Sequence, residues 1–172
     1  MAWEDELRHR LGGFDGTDGL AVSIKVRPTS GCFCRSCCPN ANRLIGEARR
    51  KLEREGDFRF EEHETGPEIL MVCAATTVGF AFATAVVNFF TAVINARTAG
   101  RKKGDRREEP IELIVRGFDK DGNLFEEKVL RIQTGDETTR EIVAKALNEA
   151  VQKQLPAPTA APKSKGKKKA KK

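Results

Sequence analysis

Alternating apolar and polar residues mark the first regular element of the chain. Residues 20–27, LAVSIKVR, place a β-branched residue at every second position, which is typical of a half-buried β-strand. The segment from Pro39 to Gly56 repeats apolar residues at helical spacing, with proline at the helix start and glycine at its end. DFRFEEHE then alternates again. A strand, a helix and a strand are therefore predicted, as a βαβ unit over residues 20–65.

The longest apolar run contains no charged residue. Residues 69–96, ILMVCAATTVGFAFATAVVNFFTAVINA, exceed the roughly 20 residues that cross a bilayer, and predict one long uncharged helix. Its hydroxyl and amide side chains fall on one stripe of the helix, which is formed by Thr77, Thr84, Asn88, Thr91 and Asn95. A water-exposed helix would carry Lys or Glu there. The stripe therefore predicts an interaction surface that meets protein or lies in a membrane bundle.

Charges on either side of residues 69–96 define the membrane alternative. Glutamates precede the run and Lys and Arg residues follow it, an asymmetry that would place the C-terminal side in the cytoplasm. A spanning helix would, however, separate the first two strands from the last two, and a pair of strands is marginally stable alone. This argument favours a helix packed on a sheet or in an oligomer interface, with the membrane alternative left open.

The second half of the domain predicts a ββα unit over residues 110–155, after a charged linker at 97–109. PIELIVRGFDKDGNLFEEKVLRIQ predicts two strands around a turn, and ETTREIVAKALNEAVQKQL predicts an amphipathic helix. Residues 20–155 are thus expected to form an α/β or α+β domain with a single small sheet, in the order β-α-β-α-β-β-α. Residues 1–19 are expected to be an N-terminal extension.

Composition adds a basic tail to this domain. The chain has 172 residues and a formal net charge of +6. Residues 156–172 contain no acid and are predicted to be disordered, because they have too little apolar surface to fold. We expect weak, non-specific contacts with anionic lipid or nucleic acid through its lysines, which are Lys163, Lys165, Lys167, Lys168, Lys169, Lys171 and Lys172. The charged start MAWEDELRHR predicts a cytoplasmic protein. If residues 69–96 span a membrane, the protein is instead expected to be membrane-associated, with its C-terminus in the cytoplasm.

Four of the five cysteines lie within CFCRSCC, residues 32–38, and three roles are open for them. Cys34 and Cys37 are candidate catalytic residues of a thiol–disulfide couple, because a helix N-terminus stabilises a thiolate. Cys32, Cys34, Cys37 and Cys38 are candidate ligands of zinc or an iron–sulfur cluster, with His63 or a second subunit as a further donor. Alternatively, some of the thiols only fill apolar space, as we expect of Cys73.

The element order and the Cys-x-x-Cys pair resemble the thioredoxin fold over about residues 20–155. Pro110 directly precedes the third strand, where that family keeps a cis proline facing its thiols. The resemblance implies a thioredoxin-like oxidoreductase in which Cys34 attacks a disulfide and Cys37 resolves the mixed disulfide.

A second resemblance covers residues 66–132. Their apolar helix, basic break and strand pair of the form "ψ-x-V-x-G-x-D-G" are similar to the effector-associated constant component proteins of bacterial conflict systems. This resemblance implies a small bacterial accessory or adaptor protein without catalytic residues, acting beside an enzyme encoded elsewhere. Since no Walker loop, dinucleotide-binding turn or Ser/His/Asp set is present, association with a protein partner, a second copy or a membrane is the main prediction. Thiol–disulfide exchange and metal binding are the alternatives.

Overall fold

The computed structural model describes residues 2–14, 19–29, 32–52, 58–63, 66–73, 84–105, 110–133 and 136–154. Within these ranges the chain is an α+β fold of four α-helices and one five-stranded sheet. The elements are α1 (Trp3–Leu11), β1 (Leu20–Pro28), α2 (Pro39–Leu52), β2 (Phe58–His63), β3 (Gly66–Cys73), α3 (Thr84–Lys102), β4 (Ile111–Phe118), β5 (Leu124–Ile132) and α4 (Arg140–Gln152).

The sheet has the order β2-β3-β1-β4-β5, and every neighbouring pair is antiparallel. The predicted single sheet of an α+β domain is confirmed, but α1 and β3 were missing from the predicted order. β1 and β2 are not neighbours, because β2 pairs with β3 and β3 occupies the edge of β1. The parallel crossover that a thioredoxin-like arrangement needs is therefore absent from the described strands.

The prediction of one helix through residues 69–96 was wrong. Residues 69–73 belong to β3 and residues 84–96 to α3, while 74–83 lie outside the described residues. From Ile69 to Cys73, β3 is apolar without interruption because both of its faces are covered: Ile69 and Met71 face the main core, and Leu70 faces α1. No helix in the described part of the chain combines the length and apolarity that a bilayer span requires.

Three helices cover one face of the sheet. Val22, Ile24 and Val26 of β1 are fully buried there, beneath α2, α3 and α4. On the opposite face, Leu7 and Leu11 of α1 pack on the sheet. The N-terminal segment, expected to be an extension, is therefore in part a packed helix. It was missed because two leucines one turn apart give only a weak helical pattern.

The face beneath α1 also contains a buried ionic cluster. The Glu68 carboxylate is fully buried and accepts a hydrogen bond from the Ser23 hydroxyl. It lies 2.9 Å from an Arg116 nitrogen, 3.0 Å from Arg10 and 3.8 Å from Lys25. Burial alone would raise the pKa of Glu68, but the Arg116 charge and the hydrogen bonds from Ser23, Arg116 and Arg10 outweigh it and hold the pKa at about 2. The ion pair between Arg10 and Glu68 therefore holds α1 on the sheet, together with the packing of Leu7 and Leu11.

Candidate functional site: a three-cysteine cluster

The cysteine-rich loop lies between β1 and α2 and folds tightly as it enters the helix. The Cys38 N–H donates to the Cys34 carbonyl over 3.0 Å, and the Asn42 N–H donates to the Cys38 carbonyl over 2.9 Å. The Asn42 side chain also donates to the Phe33 carbonyl over 3.2 Å, and the Phe33 side chain is buried in the main core. These contacts fix the backbone from which the thiols project.

Three sulfur atoms converge on one side of this loop. The Sγ atoms of Cys32, Cys34 and Cys37 all lie within 4.8 Å of one another, and those of Cys32 and Cys34 are 2.6 Å apart. All three side chains are half-buried, and none is in a disulfide. In the described ranges, no other group of three or more His, Cys, Asp or Glu side chains is this close together. The sequence placed these residues in one candidate set, and the fold brings three of its four thiols into contact range.

Hydrogen bonding within the cluster separates the acidities of two thiols. The hydrogen bond from Cys32, supported by Cys37, lowers the pKa of Cys34 to about 7. The same bond raises the pKa of Cys32 to about 11, because the Cys32 proton is held by the Cys34 sulfur. Of these two thiols, Cys34 is therefore the one that ionises first.

Cys38 is turned away from the other three thiols. Its side chain is buried, and the Arg97 guanidinium of α3 donates to its sulfur over 2.7 Å and to the Cys32 carbonyl over 3.4 Å. The guanidinium carbon also lies 4.8 Å from the centre of the Phe33 ring. Burial raises the pKa of Cys38, against the opposing charge of Arg97. Because adjacent side chains diverge, Cys37 joins the cluster and Cys38 does not.

A carboxylate from beyond α3 caps the helix that follows the loop. One oxygen of Asp105 accepts from the backbone and side chain of Asn40, over 3.1 and 2.8 Å, and the other accepts from the Ala41 N–H over 2.8 Å. At Gly100 a Cβ atom would lie 2.2 Å from that second oxygen and 2.9 Å from the Ala41 nitrogen. The end of α3 can approach α2 this closely only because residue 100 is glycine. Asp105 thereby satisfies N–H groups that a helix start leaves unpaired.

Sequence reasoning missed both Arg97 and Asp105 as parts of this site. One local signal was available for the arginine: it is the first charged residue after the uncharged stretch 69–96. The fold buries its side chain almost fully. A buried charge requires a partner, and here the partners are a thiol and a carbonyl.

The polar stripe of α3 divides into inward and outward residues. Thr91 is buried and donates to the Val87 carbonyl of its own helix over 2.8 Å. Asn95 exchanges two hydrogen bonds with the Thr138 backbone, at 3.0 and 3.1 Å, and so joins α3 to the start of α4. These two residues therefore serve the chain's own packing.

The outward members of the stripe are Thr84 and Asn88, which are exposed. Asn88 lines a groove between α2 and α3 whose floor includes the apolar side chains of Leu44, Ala48 and Phe89. Thr77 lies outside the described residues. Association of this surface with a protein partner stays a prediction.

Other predicted site residues lie apart from the cluster or outside the described part of the chain. Pro110 is buried directly before β4, and its carbonyl accepts from the Thr29 N–H over 2.9 Å. The side chain of His63 and the lysines of the tail lie outside the described residues. Cys73 is buried in the main core, as expected, and burial raises its pKa to about 12.

Comparisons with family models, curated proteins and solved structures found no match to this chain.

Proposed function

We propose that this protein binds a thiophilic metal ion through Cys32, Cys34 and Cys37. The supporting observation is that their three sulfur atoms lie within 4.8 Å of one another at a half-buried position. With metal–sulfur bonds of about 2.3 Å, thiolates around one tetrahedral ion lie roughly 3.8 Å apart. Small side-chain rotations are therefore enough to place the three sulfur atoms at bonding distance around one ion.

The surroundings of the cluster are positively charged, which suits thiolate ligands. The Arg97 guanidinium lies behind the loop, and Arg35 lies within it. Soft thiolates select ions such as Cu(I) and Zn²⁺ over hard ions such as Mg²⁺. The cluster is thus a soft-metal site on both geometric and electrostatic grounds.

Titration of the reduced protein with Cd²⁺ tests this proposal. We expect a sulfur-to-cadmium charge-transfer band that saturates at about one ion per chain, since the cluster offers a single set of donors. The variant Cys34→Ser should lose most of this band. Cys38→Ala, which alters a neighbouring thiol outside the cluster, should retain it. Equal bands in wild type and Cys34→Ser would contradict the proposal.

Thiol–disulfide exchange is the second candidate, and the 2.6 Å separation of the Cys32 and Cys34 sulfur atoms favours it. Such proximity allows one thiol to resolve a mixed disulfide that is formed on the other. Pairing of Cys32 with Cys34 is then as accessible as the predicted pairing of Cys34 with Cys37. An insulin reduction assay separates the two functions, because a protein that only binds metal would leave insulin disulfides intact with or without Cys34→Ser.

The acidity of Cys34 gives a prediction that holds for either function. A thiolate is the nucleophile in alkylation, so the rate rises with pH through the thiol's pKa and levels off above it. We expect Cys34 of the metal-free protein to reach half its maximal rate with iodoacetamide near pH 7, whereas an ordinary thiol does so near 9.0. Peptide-resolved mass spectrometry measures this rate. Cys32, with its pKa raised to about 11, is the internal control and should react slowly across the same range. Identical pH profiles for the two thiols would refute the assignment.

A further inference from the structure

We propose that the ion bound by the three-cysteine cluster is monovalent copper, held by three thiolates. This inference rests on the proposed function and commits it to one class of ion. Cu(I) is a soft, closed-shell ion that is satisfied by three sulfur ligands in a trigonal arrangement. The cluster supplies that number of sulfur atoms, from Cys32, Cys34 and Cys37.

The first support is that the part of the chain the structure describes brings three sulfur donors together and no fourth donor. Zn²⁺ in structural sites is almost always four-coordinate, with the fourth ligand supplied by the protein. Cys38 is adjacent in sequence but buried, and its sulfur accepts from Arg97 at 2.7 Å. Within the described residues no His, Asp or Glu side chain joins the three sulfurs within 4.8 Å. The described residues therefore offer three protein ligands to an ion at this position, one fewer than structural zinc takes.

The second support is the charge of the complex. Three thiolates leave a net charge of −2 on Cu(I), −1 on Zn²⁺ and zero on trivalent arsenic. The Arg97 guanidinium lies beside the loop and Arg35 lies within it, so two positive charges are near the thiols. The nearby Asp105 carboxylate is directed at the N–H groups of Asn40 and Ala41. Positive surroundings stabilise the most negative complex most strongly, which is that of Cu(I).

The third support concerns how the ion would be exchanged. All three ligands lie within one short loop and are half-buried, so the ion would join no two elements of the fold. Ions that fix a structure usually close long stretches of chain or complete a core. A site with local ligands and an open side suits capture and release of copper. Because the unfolded chain keeps the same three local ligands and can bind the ion as well, we expect ion binding to shift the thermal midpoint of the main core only slightly.

An anaerobic competition experiment tests the identity of the ion. Reduced full-length protein is titrated with Cu(I) in the presence of bathocuproine disulfonate, and separately with Zn²⁺ in the presence of a chromogenic zinc chelator. We expect about one Cu(I) per chain, bound at least 100-fold more tightly than Zn²⁺, as soft three-thiolate coordination predicts. Cys37→Ser should weaken Cu(I) binding by about tenfold or more, and Cys38→Ala by less than about threefold. X-ray absorption of the copper-loaded protein should show three sulfur neighbours.

The outcomes distinguish this inference from the proposed function. Zn²⁺ bound through the same three thiols as tightly as Cu(I) would overturn the copper assignment and leave the metal site in place. Four sulfur neighbours, or a nitrogen or oxygen neighbour, would do the same. Failure of Cu(I), Zn²⁺ and Cd²⁺ alike to protect Cys32, Cys34 and Cys37 from alkylation would overturn both.

Discussion

Replacing Glu68 with glutamine is expected to lower the free energy of unfolding by about 3–5 kcal/mol at pH 7, the usual cost of removing one partner from a buried ion pair. The carboxylate is fully buried and is approached by Arg10, Lys25 and Arg116. With a neutral amide in its place, Lys25 and Arg116 would lose the Glu68 charge, and Arg10 would keep only its ion pair with Glu61. Denaturant unfolding, followed by circular dichroism, measures the loss.

Glu126 provides the matched control for this substitution. It is exposed and lies on the same face of the sheet, with Arg27 as an ion-pair partner at 3.7 Å. Glu126→Gln should change stability by no more than about 0.5 kcal/mol, as for most surface ion pairs. A comparable loss in both variants would show that the buried position of Glu68 has no special energetic role.

The stability of wild type should fall in acid in a way that Glu68 largely sets. Its pKa is about 2 in the folded chain against an ordinary value of 4.5, so its contribution is fully present above pH 4.5 and is lost as the pH falls toward 2. The difference in stability between wild type and Glu68→Gln should therefore shrink across this window. Asp105, Asp119 and Glu141, whose pKa values are also lowered, leave the variant with a weaker acid dependence of its own. A difference that stays constant from pH 6 to pH 2 would contradict the assigned pKa.

Removing the Asp105 carboxylate is expected to cost about 2–3 kcal/mol, because the side chain is both a helix cap and a charged hydrogen-bond acceptor. In Asp105→Ala, the N–H groups of Asn40 and Ala41 lose their acceptors and α2 should fray at the end that follows the cysteine loop. Cys38 lies directly before this turn and is buried in the wild type. We expect its alkylation rate in the native protein to rise together with the loss of stability, and both are measurable on one sample.

Asp119→Ala is the control for this second substitution. Asp119 also accepts backbone N–H bonds, from Asp121 over 2.9 Å and Asn123 over 2.8 Å, but in the exposed turn between β4 and β5. Water replaces such bonds readily, so the loss should stay below about 1 kcal/mol and Cys38 should remain protected. Increased Cys38 reactivity in Asp119→Ala would point to general loosening instead of a local effect at α2.

The sequence predicted β1 correctly and β3 incorrectly for one physical reason. In β1, Val22 and Ile24 face the helices while Ser23 and Lys25 lie on the opposite face. Apolar and polar residues therefore alternate along β1, as expected for a strand with one apolar face. In β3, Leu70 is covered by α1 and its neighbours by α2 and α3, so the alternation disappears. A continuous apolar run of this kind cannot be told from a helix by its period.

The cysteine cluster was predictable to the extent that its ligands are local. Cys32, Cys34 and Cys37 fall within one loop, and the sequence named them, together with Cys38, as candidate ligands before the fold was known. Arg97 lies 59 residues from Cys38, and Asp105 lies 65 residues from Asn40. No periodicity or local motif connects positions so far apart, since only the packing of α3 against α2 brings them together. The sequence therefore predicted the thiols, but it did not predict the Arg97 charge next to Cys38 or the Asp105 side chain that caps α2.

The central place of β1 in the sheet has a consequence for how the chain is made. β1 leaves the ribosome before the other four strands of this sheet, yet it pairs on one side with β3 and on the other with β4, which ends at Phe118. Until that residue has emerged, one edge of β1 carries unpaired backbone N–H and C=O groups beside an apolar strand. Nascent chains that end before β4 would thus be prone to aggregation, and completion of the sheet depends on contacts distant in sequence, which form slowly. Synthesis of the second half of this protein is a condition for the first half to reach its native pairing.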